Sequence, residues 1–335
     1  MLQRAAIAFT LLLAATTATA QFTLQEEDDS LAAYDRSDRG YTQGLRLTWA
    51  HTPDASSAVD KPLALFCEQG LGECTHIVAW GVGQNMYTPQ DLHKIARVLR
   101  DRPYGGWLYG VWMGDALRKK DSDHLEVYAG VTGEYSLARP VQQFWHQYVT
   151  PQAVYPRGWG NQIGNHAALL VAYTRRRKVL ATRHFDVTPQ IGGAAGNVYD
   201  YATAGVTVRA GWNLPNTFLD PIPSAIPLAL DGARVAKPPE PPPQWDAYVF
   251  ASADAIHVAR NLFLDEQDRQ YRIERRPNVR DQRVGISYRY HSIRIDYINT
   301  KRSAEFIPDS RPHTYGTVRL VFGTTASPMR DEPLR

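Results

Sequence analysis

Cysteine is nearly missing: the chain of 335 residues has two, Cys67 and Cys74. So few exclude a disulfide-framework scaffold and any zinc site built from cysteines alone. An excess of one charge sign is missing too. Lys and Arg number 37 against 34 Asp and Glu, a formal net charge of +3. That balance is too even for a protein that grips nucleic acid by neutralising phosphates. Beyond residue 20 the chain has no apolar run long enough for a membrane-spanning helix. With 24 Gly and 22 Pro, it is neither collagen-like nor low-complexity throughout, so a folded protein is expected. The length fits one large β domain or two ordinary domains.

What is present begins with an export signal. Met1–Ala20 reads MLQRAAIAFTLLLAATTATA: Arg4, then an apolar stretch over residues 5–15, then small residues ending Ala18-Thr19-Ala20. This layout predicts a signal peptide over 1–20 with cleavage before Gln21. Its apolar core is too short for a membrane anchor. An exported chain without a spanning helix is either soluble or an outer-membrane β-barrel, whose alternating strands escape hydropathy.

The remaining sequence alternates. Near the C-terminus, Val318, Leu320 and Phe322 share one face while Thr317 and Arg319 share the other. Val284, Ile286 and Tyr288 alternate with Arg283, Gly285 and Ser287; Leu45, Leu47 and Trp49 alternate with Gly44, Arg46 and Thr48. A soluble β-sandwich alternates as well, but it has no need of Arg and Asp in mid-strand. A wet, closed lumen explains them better, and 8 Trp and 18 Tyr supply interfacial girdles. The pattern predicts an all-β fold, a twelve-stranded antiparallel transmembrane β-barrel. Its strands are expected at 22–29, 41–51, 76–85, 105–117, 124–135, 166–176, 184–193, 198–210, 246–257, 281–290, 292–301 and 314–323. One helix, Arg139–Val149, is expected in an extracellular loop, with Pro140 in its first turn. The barrel domain covers 21–323, followed by a tail over 324–335.

If the first strand runs outward, the connections 30–40, 86–104, 136–165, 194–197, 258–280 and 302–313 lie outside. The long segments 52–75 and 211–245, the latter containing PPEPPPQW, then fall inside, where short turns are usual. Cys67 and Cys74 lie in the first of these, and in an oxidising envelope they are expected to pair.

Most of the unusual polar residues fall in the outer connections. Gln142 and His146 are four apart and so share a helix face. An imidazole beside an amide is a candidate general base. The acidic run Glu26–Asp29 is a candidate site for a hard cation, or simply a solvated strand end. Parity puts Thr42 and Asp29 in the lumen and Asp28 outside it, unless a bulge intervenes.

These blocks have an order. Asp28-Asp29, Asp38-Arg39-x-Tyr41-Thr42-x-Gly44, Tyr87-Thr88-Pro89, Asp101-Arg102-Pro103-Tyr104, Gln142-x-x-x-His146, Gly158-Trp159-x-x-Gln162 and Gly196-Asn197-x-Tyr199 follow the succession seen in outer-membrane lipid A 3′-O-deacylases. The chain resembles that family from about residue 22 to 323. The resemblance implies a twelve-stranded barrel of the Gram-negative outer membrane that removes the 3′-linked acyloxyacyl chain from lipid A with a Ca²⁺ requirement. It implies that His146 activates water, that Gln142 supports it, and that Asp29, Thr42, Lys94 and Tyr155 belong to the site. Asp28 and Asp29 are the candidate cation ligands. A cation or Lys94 would stabilise the oxyanion; a lysine facing anionic headgroups is the plainer reading of Lys94.

Three positions depart from the family pattern. Asp28 stands where the family has Asn, no Glu follows the His near Gln152 or Ala153, and His166 replaces an acidic residue. The substrate implied is lipid A or lipopolysaccharide among outer-membrane lipids, with no nucleic-acid partner. A closed barrel needs no second copy, so a monomer is expected. The rival readings are a catalytically silent barrel serving structure, transport or adhesion, and a soluble β-sandwich binding protein.

Overall fold

The computed structural model describes residues 20–33, 40–51, 74–118, 120–149, 153–215, 217–218, 243–266 and 273–323. Twelve long strands carry the fold: β1 Ala20–Asp28, β2 Gly40–His51, β3 Thr75–Thr88, β4 Gly105–Leu117, β5 Asp121–Thr132 and β6 Ala167–Arg177, then β7 Phe185–Gly196, β8 Tyr199–Trp212, β9 Trp245–Asn261, β10 Asn278–Tyr290, β11 Ile293–Arg302 and β12 His313–Gly323. Each pairs antiparallel with its sequence neighbour. The first and last close the ring, from Gln21↔Gly323 to Asp28↔Gly316. Every predicted strand is present, most with bounds a few residues from those expected. The helix α1, Ala138–Tyr148, lies within a residue of its expected place. A short helix, α2, spans Leu262–Asp265. Residues 1–19 of the expected signal peptide, the core of segment 52–75, Asp38-Arg39, the PPEPPP stretch and the tail over 324–335 lie outside the described residues. Cys74 is disulfide-bonded, in keeping with an oxidising compartment; Cys67 lies outside the described residues.

The pleat sorts the side chains as the alternation predicts. Leu45, Val82, Val127, Val171, Ile191, Val249, Ile286 and Ile295 are exposed on the outer surface. Trp49, Trp80 and Trp112 stand side by side across β2, β3 and β4. With the exposed Trp212, Trp245 and Tyr290, they form an aromatic girdle toward the end where β1 begins and β12 ends.

The lumen corrects one expectation. It is filled by side chains rather than open to water. At mid-height Arg283 bridges Asp254 at 2.5 Å and Asp281 at 2.7 Å. Arg302 holds Asp281 at 2.9 Å, Arg319 holds Asp296 at 2.7 Å, and Arg209 holds Asp186 at 3.0 Å. Charges this deeply buried survive only when paired, which is why Arg and Asp recur in mid-strand. Toward the outer end an aromatic layer takes over, with Tyr41, Tyr87, Trp107, Tyr109, Tyr128, Tyr199, Phe263 and Tyr315. Phe263 of α2 stacks on Tyr87 at 4.2 Å.

The opposite mouth explains part of the long inner segment. Leu214 and Phe218 join the lumen core. Arg209 donates to the Thr217 hydroxyl at 3.2 Å and to its carbonyl at 2.7 Å, and Lys178 sits 5.0 Å from the centre of the Phe218 ring. The start of 211–245 is therefore an inner plug. Among the described residues the barrel is filled at mid-height, with aromatic side chains toward the outer end and this segment at the inner mouth.

The ion-pair network makes a stability prediction. Arg283→Met strands the Asp254 carboxylate and takes one guanidinium from Asp281. It should cost about 3–5 kcal/mol, read as a lower temperature for the gel-mobility change from folded to unfolded barrel.

Candidate active site

The helix α1 rests on the outside of the barrel wall. Gly106 has outward parity on β4, and a Cβ there would stand 2.1 Å from Ser136 Oγ and 2.4 Å from Ala138 Cβ. Only glycine lets the chain approach this closely. Gln84, outward on β3, donates to the Ser136 carbonyl at 2.5 Å. Met86, Leu92, Tyr104, Ala138 and Trp159 form an apolar cluster apart from the lumen core. Leu137 turns the chain into the helix with a left-handed φ of 58°.

Ala138, Gln142 and His146, each four residues apart, are the buried residues of α1. They form the face that looks at the wall. The Trp159 indole donates to Gln142 Oε1 at 2.7 Å, and Tyr104 packs on Trp159 at 4.9 Å. Gln142 Nε2 is buried and has no hydrogen-bond partner among the described residues, leaving an amide donor for a group that enters the site. His146 Nδ1 lies 2.6 Å from the Val154 carbonyl oxygen. A carbonyl only accepts, so Nδ1 carries the hydrogen and Nε2 is the nitrogen equipped to take a proton.

The wall supplies the acids. Asp28 ends β1 with the outward parity expected of it. Its Oδ1 accepts from the Ser30 amide at 2.7 Å and caps a single 3₁₀ turn, Asp29–Leu31. The Asp28 carboxyl lies near that of Asp29 and close enough to His146 to interact with it electrostatically. Glu27, between the outward Glu26 and Asp28, points into the lumen and accepts from Tyr41 at 2.6 Å. The pleat therefore splits the acidic run: Glu27 belongs to the lumen, and Asp29 leaves the strand altogether.

Thr42 corrects a second expectation. Parity placed it in the lumen, but the β2–β3 register shifts between Tyr41 and Gln43. That bulge sends Tyr41 inward and brings Thr42 Oγ1 to 2.5 Å from Oγ1 of Thr88, which has the outward parity of β3. Gln43, next to Thr42, pairs with Asp28 across β1 and β2. Thr42 thus belongs to the same stretch of outer wall as Asp28.

The structure therefore groups Asp28, Asp29 and His146, sets Gln142 one turn away on the same helix face, and puts Thr42 beside Asp28. It does not draw Lys94 or Tyr155 into direct contact with that group. Lys94 is exposed, 3.7 Å from Asp91, in a cleft of about 1150 Å³ between loop 90–101 and loop 306–312. Val154, whose carbonyl holds His146, lines the same cleft. Tyr155 is exposed next to it.

Two participants escaped assignment from sequence. Trp159 sits in a quoted block, but nothing in the block says that it clamps Gln142. Val154 acts through its carbonyl, which every residue has, so no sequence signal exists for it. In this chain a main-chain carbonyl holds the imidazole ring. Among the described residues no three His, Cys, Asp or Glu side chains converge as a metal site. Asp28 and Asp29 offer two adjacent carboxylates, the hard oxygen donors Ca²⁺ takes. A cation there would draw its other oxygens from carbonyls, hydroxyls or water.

A closed twelve-stranded barrel with apolar side chains outward and paired charges inward is the architecture of an outer-membrane protein. The model of the family described as outer membrane protein LpxR matches residues 2–323, and the chain belongs to that family, the lipid A deacylases of the Gram-negative outer membrane. The solved structure of LpxR from Salmonella typhimurium matches with a TM-score of 0.71 at 19% identity, covering 90% of this chain and 99% of that one. The β domain of the Bordetella autotransporter BrkA matches at 0.45 and 6% identity, over 91% and 98% of the two chains. The translocator domain of NalP from Neisseria meningitidis matches at 0.42 and 8%, over 96% and 94%. Among curated proteins none matches by sequence.

The clamp on Gln142 can be tested. Trp159→Phe keeps the ring packing but removes the donor, leaving a buried amide oxygen unpaired at about 1–3 kcal/mol. Lipid A deacylation, followed by mass spectrometry, should fall roughly tenfold or more while the folded barrel's gel mobility is retained.

Proposed function

We propose that this protein hydrolyses the ester linking the 3′ acyloxyacyl chain to lipid A in the outer leaflet, acting as a monomer with water as the nucleophile. The observation that carries this reading is the His146 geometry. Val154 fixes the ring so that Nε2 is the basic nitrogen, on the outer wall, beside Asp28.

His146 Nε2 takes a proton from water as the water oxygen bonds to the ester carbonyl carbon, and the carbonyl electrons move onto its oxygen. When this tetrahedral species collapses, the bond to the sugar oxygen breaks. The imidazolium returns its proton to that oxygen. The products are a free sugar hydroxyl and a carboxylic acid. Gln142 Nε2 is a donor for the water or the developing oxyanion, and Trp159 keeps its amide in place. Asp28 and Asp29 would hold Ca²⁺, with Thr42 nearby. When bound, Ca²⁺ supplies positive charge to stabilise the oxyanion. Lys94, in the cleft behind Val154, faces the anionic sugar headgroup.

The test is mass spectrometry of lipid A from cells expressing the wild type or His146→Gln. The wild type should remove the 3′ acyloxyacyl mass. The variant should lose about 10²–10⁴-fold in rate, the usual share of a general base. Unchanged lipid A with the wild type, at any Ca²⁺ concentration, would overturn the reading. EGTA should stop the reaction; full activity in EGTA would remove the cation and leave the base.

A further inference from the structure

Helix α1 has three faces, and the site uses one. Ala138, Gln142 and His146 meet the wall. Arg139, Gln143 and Gln147 form a polar side. The third side carries Val141, Phe144 and Tyr148 at the i, i+3, i+7 spacing of a single helical stripe, with Leu137 at the helix N-cap. Leu137, Val141, Phe144 and Tyr148 are 54%, 37%, 57% and 63% exposed, and the Phe144 and Tyr148 rings lie 5.0 Å apart. Tyr135, just before the helix, is 67% exposed. No part of the described chain covers this stripe.

We infer that the stripe is an interfacial membrane anchor, seated among the acyl chains of the outer leaflet, which holds α1 and His146 at the depth of the lipid esters. The height of the helix supports this. It is fixed to β3 through Gln84 and Met86, four and six residues from Trp80 in the aromatic girdle. At a rise of about 3.3 Å per residue, that is roughly 13–20 Å along a tilted strand. The lipid-facing band of a barrel is about 25 Å tall, so the attachment falls within it. The wall next to the helix is lipid-facing as well: Val82 on β3 and Leu45 on β2 are exposed there. The stripe continues that apolar surface, and a helix with one apolar and one polar side is built to lie along an interface.

The experiment does not depend on catalysis. The described residues include no free cysteine, so single cysteines at Phe144 and Gln147 can carry a bimane label in protein reconstituted into vesicles. Phe144→Cys should be quenched several-fold more by lipids brominated on their acyl chains than Gln147→Cys, and aqueous iodide should show the reverse order. Iodide quenching of the Phe144 label equal to that at the loop residue Ser310 would overturn the inference. So would protection from both quenchers, which would point to a second copy of the chain over the stripe. If the anchor holds but lipid A stays intact, the deacylase reading fails alone. If the enzyme works with Phe144 in water, the anchor fails alone.

Discussion

Closure of the ring between β1 and β12 is the constraint on which the rest of the molecule depends. Within a bilayer every strand amide and carbonyl needs a partner, and only a closed sheet leaves no edge. The eight residue pairs from Gln21↔Gly323 to Asp28↔Gly316 supply that closure. They also fix the parity of β1, and with it the destination of each member of the acidic run. Asp28 reaches the outer wall because Glu27 must face the lumen. A one-residue slip in this register would exchange them, burying the acid next to His146 and sending the partner of Tyr41 into lipid.

Charge placement follows from the same closure. Arg and Asp facing each other across the lumen are costly when separated and tolerable when paired, so the interior becomes a lattice of guanidinium–carboxylate contacts capped by aromatic rings. Among the described residues this lattice fills the lumen at mid-height. What remains for chemistry is the outer surface near the rim, where the bulge at Thr42 and the close approach at Gly106 break the regular barrel pattern. One turns a hydroxyl outward; the other lets a helix settle on the wall.

The barrel was legible in the sequence because two-residue alternation survives in every strand, and the helix because Gln142 and His146 sit within a compact amphipathic run. Asp28, Asp29, Gln142 and His146 were legible as a set through the order of the motif blocks. The side of the wall was not. Parity counting carried Thr42 into the lumen because a bulge leaves no mark in a one-letter pattern. It treated Asp29 as a strand residue because the 3₁₀ turn is only three residues long. The filled lumen was also hidden: mid-strand arginines announce an interior, but whether water or carboxylates meet them depends on register across several strands. Lys94 and Tyr155 lie in loops, where neither strand parity nor helix spacing fixes a side chain's position, and the structure does not bring them into contact with the histidine.

An outer-wall site has an energetic consequence for a lipid substrate. Withdrawing an acyl chain from the bilayer into a lumen would cost about 0.8 kcal/mol per methylene, so about 10 kcal/mol for a chain of roughly twelve. No interior packed with ion pairs could return that free energy, since apolar chains gain nothing from guanidinium neighbours. A histidine on the lipid side avoids the cost altogether. In the proposed reaction the substrate's chains would stay in the leaflet while its ester, at the boundary between chains and headgroup, diffused laterally to the wall. The proposed reaction then needs only local desolvation and alignment, which the clamped Gln142 and the carbonyl-held His146 are built to supply. The filled lumen and the wall-mounted helix are thus complementary: the first gives the barrel its stability, and the second puts the reactive groups where the lipid already is.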